Sequence, residues 1–102
     1  MVHLKYPTAI AVKKAVPPEL FYGTYLEGSF GKHTGNGWHL WSGLCPFHDD
    51  IRAGSFYINK DSGAFKCFSC GASGGDILDF MMQKNGLPFP EVLKSLGGMA
   101  NA

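Results

Sequence analysis

The chain has 102 residues, a formal charge of +1 and three cysteines. That length holds one domain and is too short for two ordinary ones. So small a charge excludes bulk electrostatic attraction to nucleic acid or an anionic membrane, and an odd cysteine count excludes a closed disulfide framework.

A domain of this size buries only about 60 to 65% of the surface its unfolded chain exposes, so a metal staple would add to a thin hydrophobic margin. The first twenty residues carry no apolar run of signal-peptide length, and no stretch approaches the roughly 18 apolar residues of a membrane span. The expectation is a soluble, cytoplasmic protein with reduced thiols and no membrane partner.

In chain order, residues 1–28 read as an N-terminal approach segment. Lys5, Lys13 and Lys14 lie among small apolar residues, and Pro17-Pro18 then punctuates. A helix starting at PPEL is expected, because proline is tolerated in a first turn and Leu20, Phe21, Thr24 and Tyr25 recur at helical spacing. From Ser29 the period becomes two. Asn36-Gly37 lies between two extended runs and signals a tight hairpin, since both residues tolerate positive φ. Strands are then expected over 55–59 and 64–68, with a turn over 60–63. After Cys70 the period lengthens: Asp76 is a good N-cap, Ile77, Phe80 and Met81 share a face, and Gly86 closes the helix. A last helix carries Pro90 in its first turn and Val92, Leu93 and Leu96 on one face, with Gly97 as its stop. The fold class is therefore a small α+β domain, an antiparallel sheet flanked by short helices, over 29–102.

Chemistry concentrates in two pairs. Cys45-x-x-His48, eighteen intervening residues, then Cys67-x-x-Cys70 supply four ligands in two tight turns. A two-residue gap aims both ligands of a turn at one centre while backbone amides reach the sulfurs, and Gly71 gives the second turn its backbone freedom. Three thiolates and an imidazole suit one tetrahedral Zn2+ rather than an oxygen-seeking cation. A redox pair would leave Cys45 and His48 unexplained, and buried cysteines acting as small hydrophobes would leave the spacing unexplained. Four protein ligands leave no place for water, so the zinc is expected to be structural. A deaminase-type zinc would need a His-x-Glu segment that is absent. His33 and His39 read as residues of a solvated strand face. Asp49-Asp50 reads as a turn beside the site and Asp76 with Asp79 as a helix start, so no catalytic residue is assigned. GASGGD lacks the Lys-Ser/Thr of a P-loop.

The words GLCPFH, FKCFSCG and GGDILDF, within residues 43–97, closely resemble the CHC2-type zinc-binding domain of bacterial DnaG-like DNA primases, including short plasmid and phage forms. Residues 1–36 match weakly. By that resemblance Cys45, His48, Cys67 and Cys70 take the zinc positions of a zinc ribbon. The resemblance implies a template-recognition module for single-stranded DNA that supports RNA primer synthesis in replication. Polymerisation would reside in a separate domain, with the primase polymerase domain or the replicative helicase as partner. Two departures stand out. DDIRAGSF is one residue longer than the family's usual Lys-Thr-Pro-Ser-Phe-like stretch and lacks its proline, with Arg52 a candidate for its basic residue. CGASGGD is also one residue longer than the commoner spacing.

Strand parity puts Tyr57 opposite Phe56 and Ile58, and Lys66 with Phe68 opposite Phe65 and Cys67. Aromatic rings among cations suit unstacked bases and phosphates. The candidates for nucleic-acid contact are His39, Trp41, Arg52, Tyr57, Lys60 and Lys66, with a core position the competing reading for Trp38 and Trp41. The alternative function is a zinc ribbon that docks a helicase or another replication protein through apolar helices.

Overall fold

The computed structural model describes residues 8–49 and 51–100, with side chains to residue 97. Lys5 and Asp50 lie outside the described residues.

The first element is one that periodicity did not mark. Helix α1, Ala9–Ala15, starts where the Thr8 hydroxyl accepts the Ala11 amide at 3.1 Å, satisfying one of the first-turn donors that a helix leaves unpaired. Pro17 is extended and Pro18 opens α2, Pro18–Tyr25. This helix buries Phe21 and Tyr22 and leaves Leu20 and Tyr25 exposed, so the buried stripe is shifted from the one expected.

Strands β1, Phe30–Gly35, and β2, Trp38–Trp41, are joined by Asn36 at φ 52° and Gly37 at φ 86°. Both lie in the left-handed region that a two-residue hairpin of this kind requires. Strands β3, Phe56–Asn59, β4, Phe65–Cys67, and a two-residue β5, Ser73–Gly74, complete an antiparallel sheet in the order β1-β2-β3-β4-β5. Strand β5 was not expected. The Asn59 side chain organises the turn between β3 and β4: its Oδ1 accepts the amides of Asp61 and Ser62, and its Nδ2 donates to the Asn36 carbonyl, all at 3.0 Å. One buried carboxamide thus ties two hairpins together.

Helix α3, Ile77–Asn85, is capped by Asp76, whose Oδ1 accepts the Asp79 amide at 2.9 Å, and ends on Gly86 at φ 63°. Helix α4, Phe89–Ala100, continues past Gly97. A glycine ends a helix only where the chain turns left-handed; otherwise it costs about 1 kcal/mol, and here burial of Leu96 and Gly97 accompanies continuation.

Register divides the sheet's faces. His39, Ile58, Phe65 and Gly74 stand opposite one another in one row, and Leu40, Tyr57, Lys66 and Ser73 in the next. The first face is the core side: Phe56, Ile58, Phe65 and Cys67 join Val12 from α1, Val16 at its C-cap, Phe21 and Tyr22 from α2, Ile77 and Phe80 from α3, and Val92 and Leu96 from α4. Phe80 stands edge-on to Phe21, Tyr22 and Phe65 at 5.1 to 5.6 Å. A Cβ at Gly74 would come within 2.5 Å of the Phe65 ring, so β5 can lie here only as glycine. Among the described residues no helix is long and apolar enough to cross a membrane.

Candidate metal centre and the outer sheet face

The first turn, residues 45–48, follows β2. Its Phe47 stacks on Phe65 at 5.3 Å with the rings 8° apart and meets Phe80 edge-on at 5.2 Å. That anchorage positions Cys45, whose Sγ accepts the Phe47 amide at 3.4 Å. The second turn leaves the end of β4. Cys67 Sγ accepts the amides of Ser69 and Cys70 at 3.4 and 3.5 Å, and the Gly71 amide returns to the Cys67 carbonyl at 2.9 Å with Gly71 at φ 81°. The left-handed glycine expected after Cys70 is therefore in place.

The two turns bring one ligand atom each from Cys45, His48, Cys67 and Cys70 to within 4.8 Å of one another. Cys45 and Cys70 sulfurs are 3.9 Å apart, and Cys67 Sγ is 3.9 Å from His48 Nδ1. Two sulfurs at about 2.3 Å from a tetrahedral zinc would be about 3.8 Å apart. The arrangement fits one structural Zn2+ with every coordination position filled by protein. Burial pushes the Cys45 thiol up to about 12, against the pull of the Phe47 amide. Burial acts the same way on Cys67, but the Cys70 and Ser69 amides and the neighbouring thiols together bring it below the ordinary thiol value. Amides stabilise the thiolate at Cys67, and a bound cation would do the same at Cys45.

The two carboxylates at the start of α3 serve the fold. Asp76 caps α3 and pairs with Lys13 at 3.3 Å, and Asp79 accepts the Gly75 amide and the Gln83 side chain.

Of the six residues expected to contact nucleic acid, Tyr57 and Lys66 stand side by side on the outer face, directly paired in register. Trp41 corrects the expectation. It is fully buried, with its indole N–H donating to the Glu27 carbonyl at 3.1 Å and its ring against Phe30 at 5.2 Å. His39 lies in the core-side row, half-buried beside Phe30 and 4.8 Å from the His33 ring, with Nδ1 3.1 Å from the Gly31 carbonyl. His33 is exposed, and its Nε2 accepts the Gly37 amide at 3.2 Å. Lys60 reaches over the Phe30 ring at 5.6 Å and pairs with Glu19 at 3.5 Å. Arg52 is exposed in the segment between β2 and β3.

Two residues missing from the expected set complete the outer face. Trp38 and Phe68 join Tyr57, Lys66 and the hairpin tip around an open cleft of about 490 Å³. Phe68, 68% exposed, stands edge-on to Tyr57 at 5.2 Å, with the Lys66 ammonium 5.1 Å over its ring. The signal for both was strand parity: Phe68 is two residues from Lys66, and Trp38 alternates with the buried Trp41 through a strand of odd step.

Residues 32–102 match the family described as the CHC2 zinc finger. Curated relatives include the DNA primase of Streptomyces coelicolor, 38% identical over 90 residues, which are 88% of this chain and 13% of that protein. The DNA primase of Geobacillus stearothermophilus is 43% identical over 58 residues, 57% of this chain and 9% of its own length. That of Helicobacter pylori is 44% identical over 57 residues, 56% of this chain and 10% of its own. The chain thus spans between 9% and 13% of these relatives.

Proposed function

The chain belongs to the CHC2 zinc finger family, and on that premise we propose that it is the single-stranded-DNA template-recognition module of a DNA primase, supporting RNA primer synthesis by a polymerase domain elsewhere. Its setting is cytoplasmic replication, with the polymerase domain or replicative helicase as protein partner. The observation that carries this reading is the outer cleft, where Trp38, Tyr57 and Phe68 surround the Lys66 ammonium on a face that the core does not use. Stacking on a ring is worth about 1 to 3 kcal/mol per base and tolerates any base, while a lysine meets a phosphate. Bases must be unstacked to reach such rings, which selects single strands over duplex. The zinc supplies no chemistry to a reaction here; it fixes the turn from which Phe68 projects.

Fluorescence anisotropy with labelled single strands at several salt concentrations tests the reading. Binding should weaken with salt, and an equivalent duplex should bind less. Lys66→Ala should reduce the slope of log K against log salt by about 0.7, the value for one phosphate on a single strand. Tyr57→Ala should weaken binding by about 1 to 3 kcal/mol with zinc retained. Absence of a salt-dependent signal at concentrations on the order of tens of micromolar would reject DNA binding and leave the helicase-docking ribbon.

A further inference from the structure

Phe68 belongs to two structures at once. In sequence it is the residue after the ligand Cys67 and two before the ligand Cys70, inside the turn whose amides from Ser69 and Cys70 reach the Cys67 sulfur. In space its ring stands against Tyr57 and under the Lys66 ammonium, forming part of the cleft wall. Its own amide donates to the Ser55 carbonyl at 2.9 Å, which pins the start of the turn to the edge of β3. The other intervening aromatic, Phe47, faces the opposite way and packs into the core. Thus the intervening aromatic of the first turn is held by the core whether or not anything binds outside, whereas Phe68 in the second is held only on the outer face.

We propose that Phe68 couples metal and ligand: zinc, by closing the second turn, sets the ring that a single strand stacks on, and a bound strand in turn holds that turn closed around zinc. The inference rests on the template-binding reading above. Linkage makes the effect reciprocal, because a ligand that binds the zinc-closed form more tightly must tighten zinc by the same factor. Cys70 is the ligand on which this acts, since it is exposed while Cys45 and Cys67 are buried; its sulfur is the one an external chelator reaches first. A base resting on Phe68 covers the same turn.

The test measures the equilibrium partition of zinc between the protein and the chromophoric chelator 4-(2-pyridylazo)resorcinol, with and without an excess of unlabelled single strand, while anisotropy of a labelled strand reports binding in the same buffer. Single-stranded DNA should tighten zinc binding at least about fivefold, the lower end of typical coupling between sites. Phe68→Ala should keep stoichiometric zinc, shown by an unchanged tetrahedral cobalt spectrum after metal exchange, yet lose the protection; Phe68→Tyr, which keeps a ring, should restore it. Because Phe68 is largely exposed, its truncation leaves the core intact. If the wild-type protein binds the strand but holds zinc with the same affinity, the coupling is wrong and the template reading stands. Protection persisting in Phe68→Ala assigns the coupling to another residue and overturns the proposal. If the wild-type protein binds no strand, both readings fall together.

Discussion

Tyr22 carries a buried hydroxyl that donates to the Gly63 carbonyl at 2.6 Å, across 41 residues of sequence. Burial first, and then the charges of Asp76 and Asp79, raise its phenol above the ordinary tyrosine value of 10.0. Because the folded state holds this proton more tightly than the unfolded chain, its contribution to stability is complete below about pH 10 and declines as pH rises further. Tyr22→Phe should therefore cost about 1 to 3 kcal/mol in urea unfolding at pH 7, since the Gly63 carbonyl loses its donor in the core. The gap between wild type and variant should narrow above pH 10, and a gap independent of pH would contradict the assignment. Sequence spacing marked Leu20, Phe21, Thr24 and Tyr25 as one face but missed Tyr22, whose place depends on a partner 41 positions away. The zinc ligands were legible for the opposite reason: each pair is local, and the chemistry of sulfur and imidazole restricts what the spacing can serve. Between the two tryptophans, alternation alone separates Trp38 from Trp41 but not inside from outside. The register Trp38↔Asn59 and Leu40↔Tyr57 makes that choice.

Among elements, those with strong punctuation were readable and those held by tertiary contact were not. The Asn36-Gly37 hairpin, the Asp76 cap and the left-handed Gly86 each carry their conformation in one or two residues. Strand β5 has two residues and exists because Lys66 and Phe65 pair with Ser73 and Gly74; nothing local requires it. Helix α1 is seven residues, too short to be stable alone, and it packs against α4, far away in sequence. Together α1, its C-cap and α2 place Val12, Val16, Phe21 and Tyr22 in the core, each no more than 2% exposed. At about 1.5 to 3 kcal/mol per buried side chain, their removal costs about 6 to 12 kcal/mol, comparable to the whole stability of an ordinary domain. A truncated chain of residues 29–102 should consequently fail to unfold cooperatively even with excess zinc, measured by thermal melting followed by circular dichroism. A truncated chain that melts as the full one does would show that the ribbon is independent of its approach segment.

At the scale of the whole molecule, one sheet separates two tasks, with its inner face spent on cohesion and its outer face open. The metal centre sits where both meet, because Cys45 and Cys67 are themselves members of the core, 3% and 0% exposed, and the turn after Cys67 reaches the outer face through Phe68. Structural zinc contributes roughly 10 to 16 kcal/mol in zinc-finger peptides, against roughly 5 to 15 kcal/mol for the net stability of a domain. Stripping the metal therefore removes a term as large as the balance that keeps the chain folded. It also leaves a buried Cys45 thiol raised by burial beside two others, with the Phe47 stack still drawing the first turn inward. Chelation should collapse the near-ultraviolet dichroism of the aromatic cluster and abolish the cooperative melt, with equimolar zinc restoring both. Cys67→Ala should reproduce the stripped state without recovery, since two amides and a metal bond converge on that one sulfur. A metal-free protein that melts at the wild-type temperature would mean that the core alone specifies the ribbon, and that the four ligands contribute nothing to holding it.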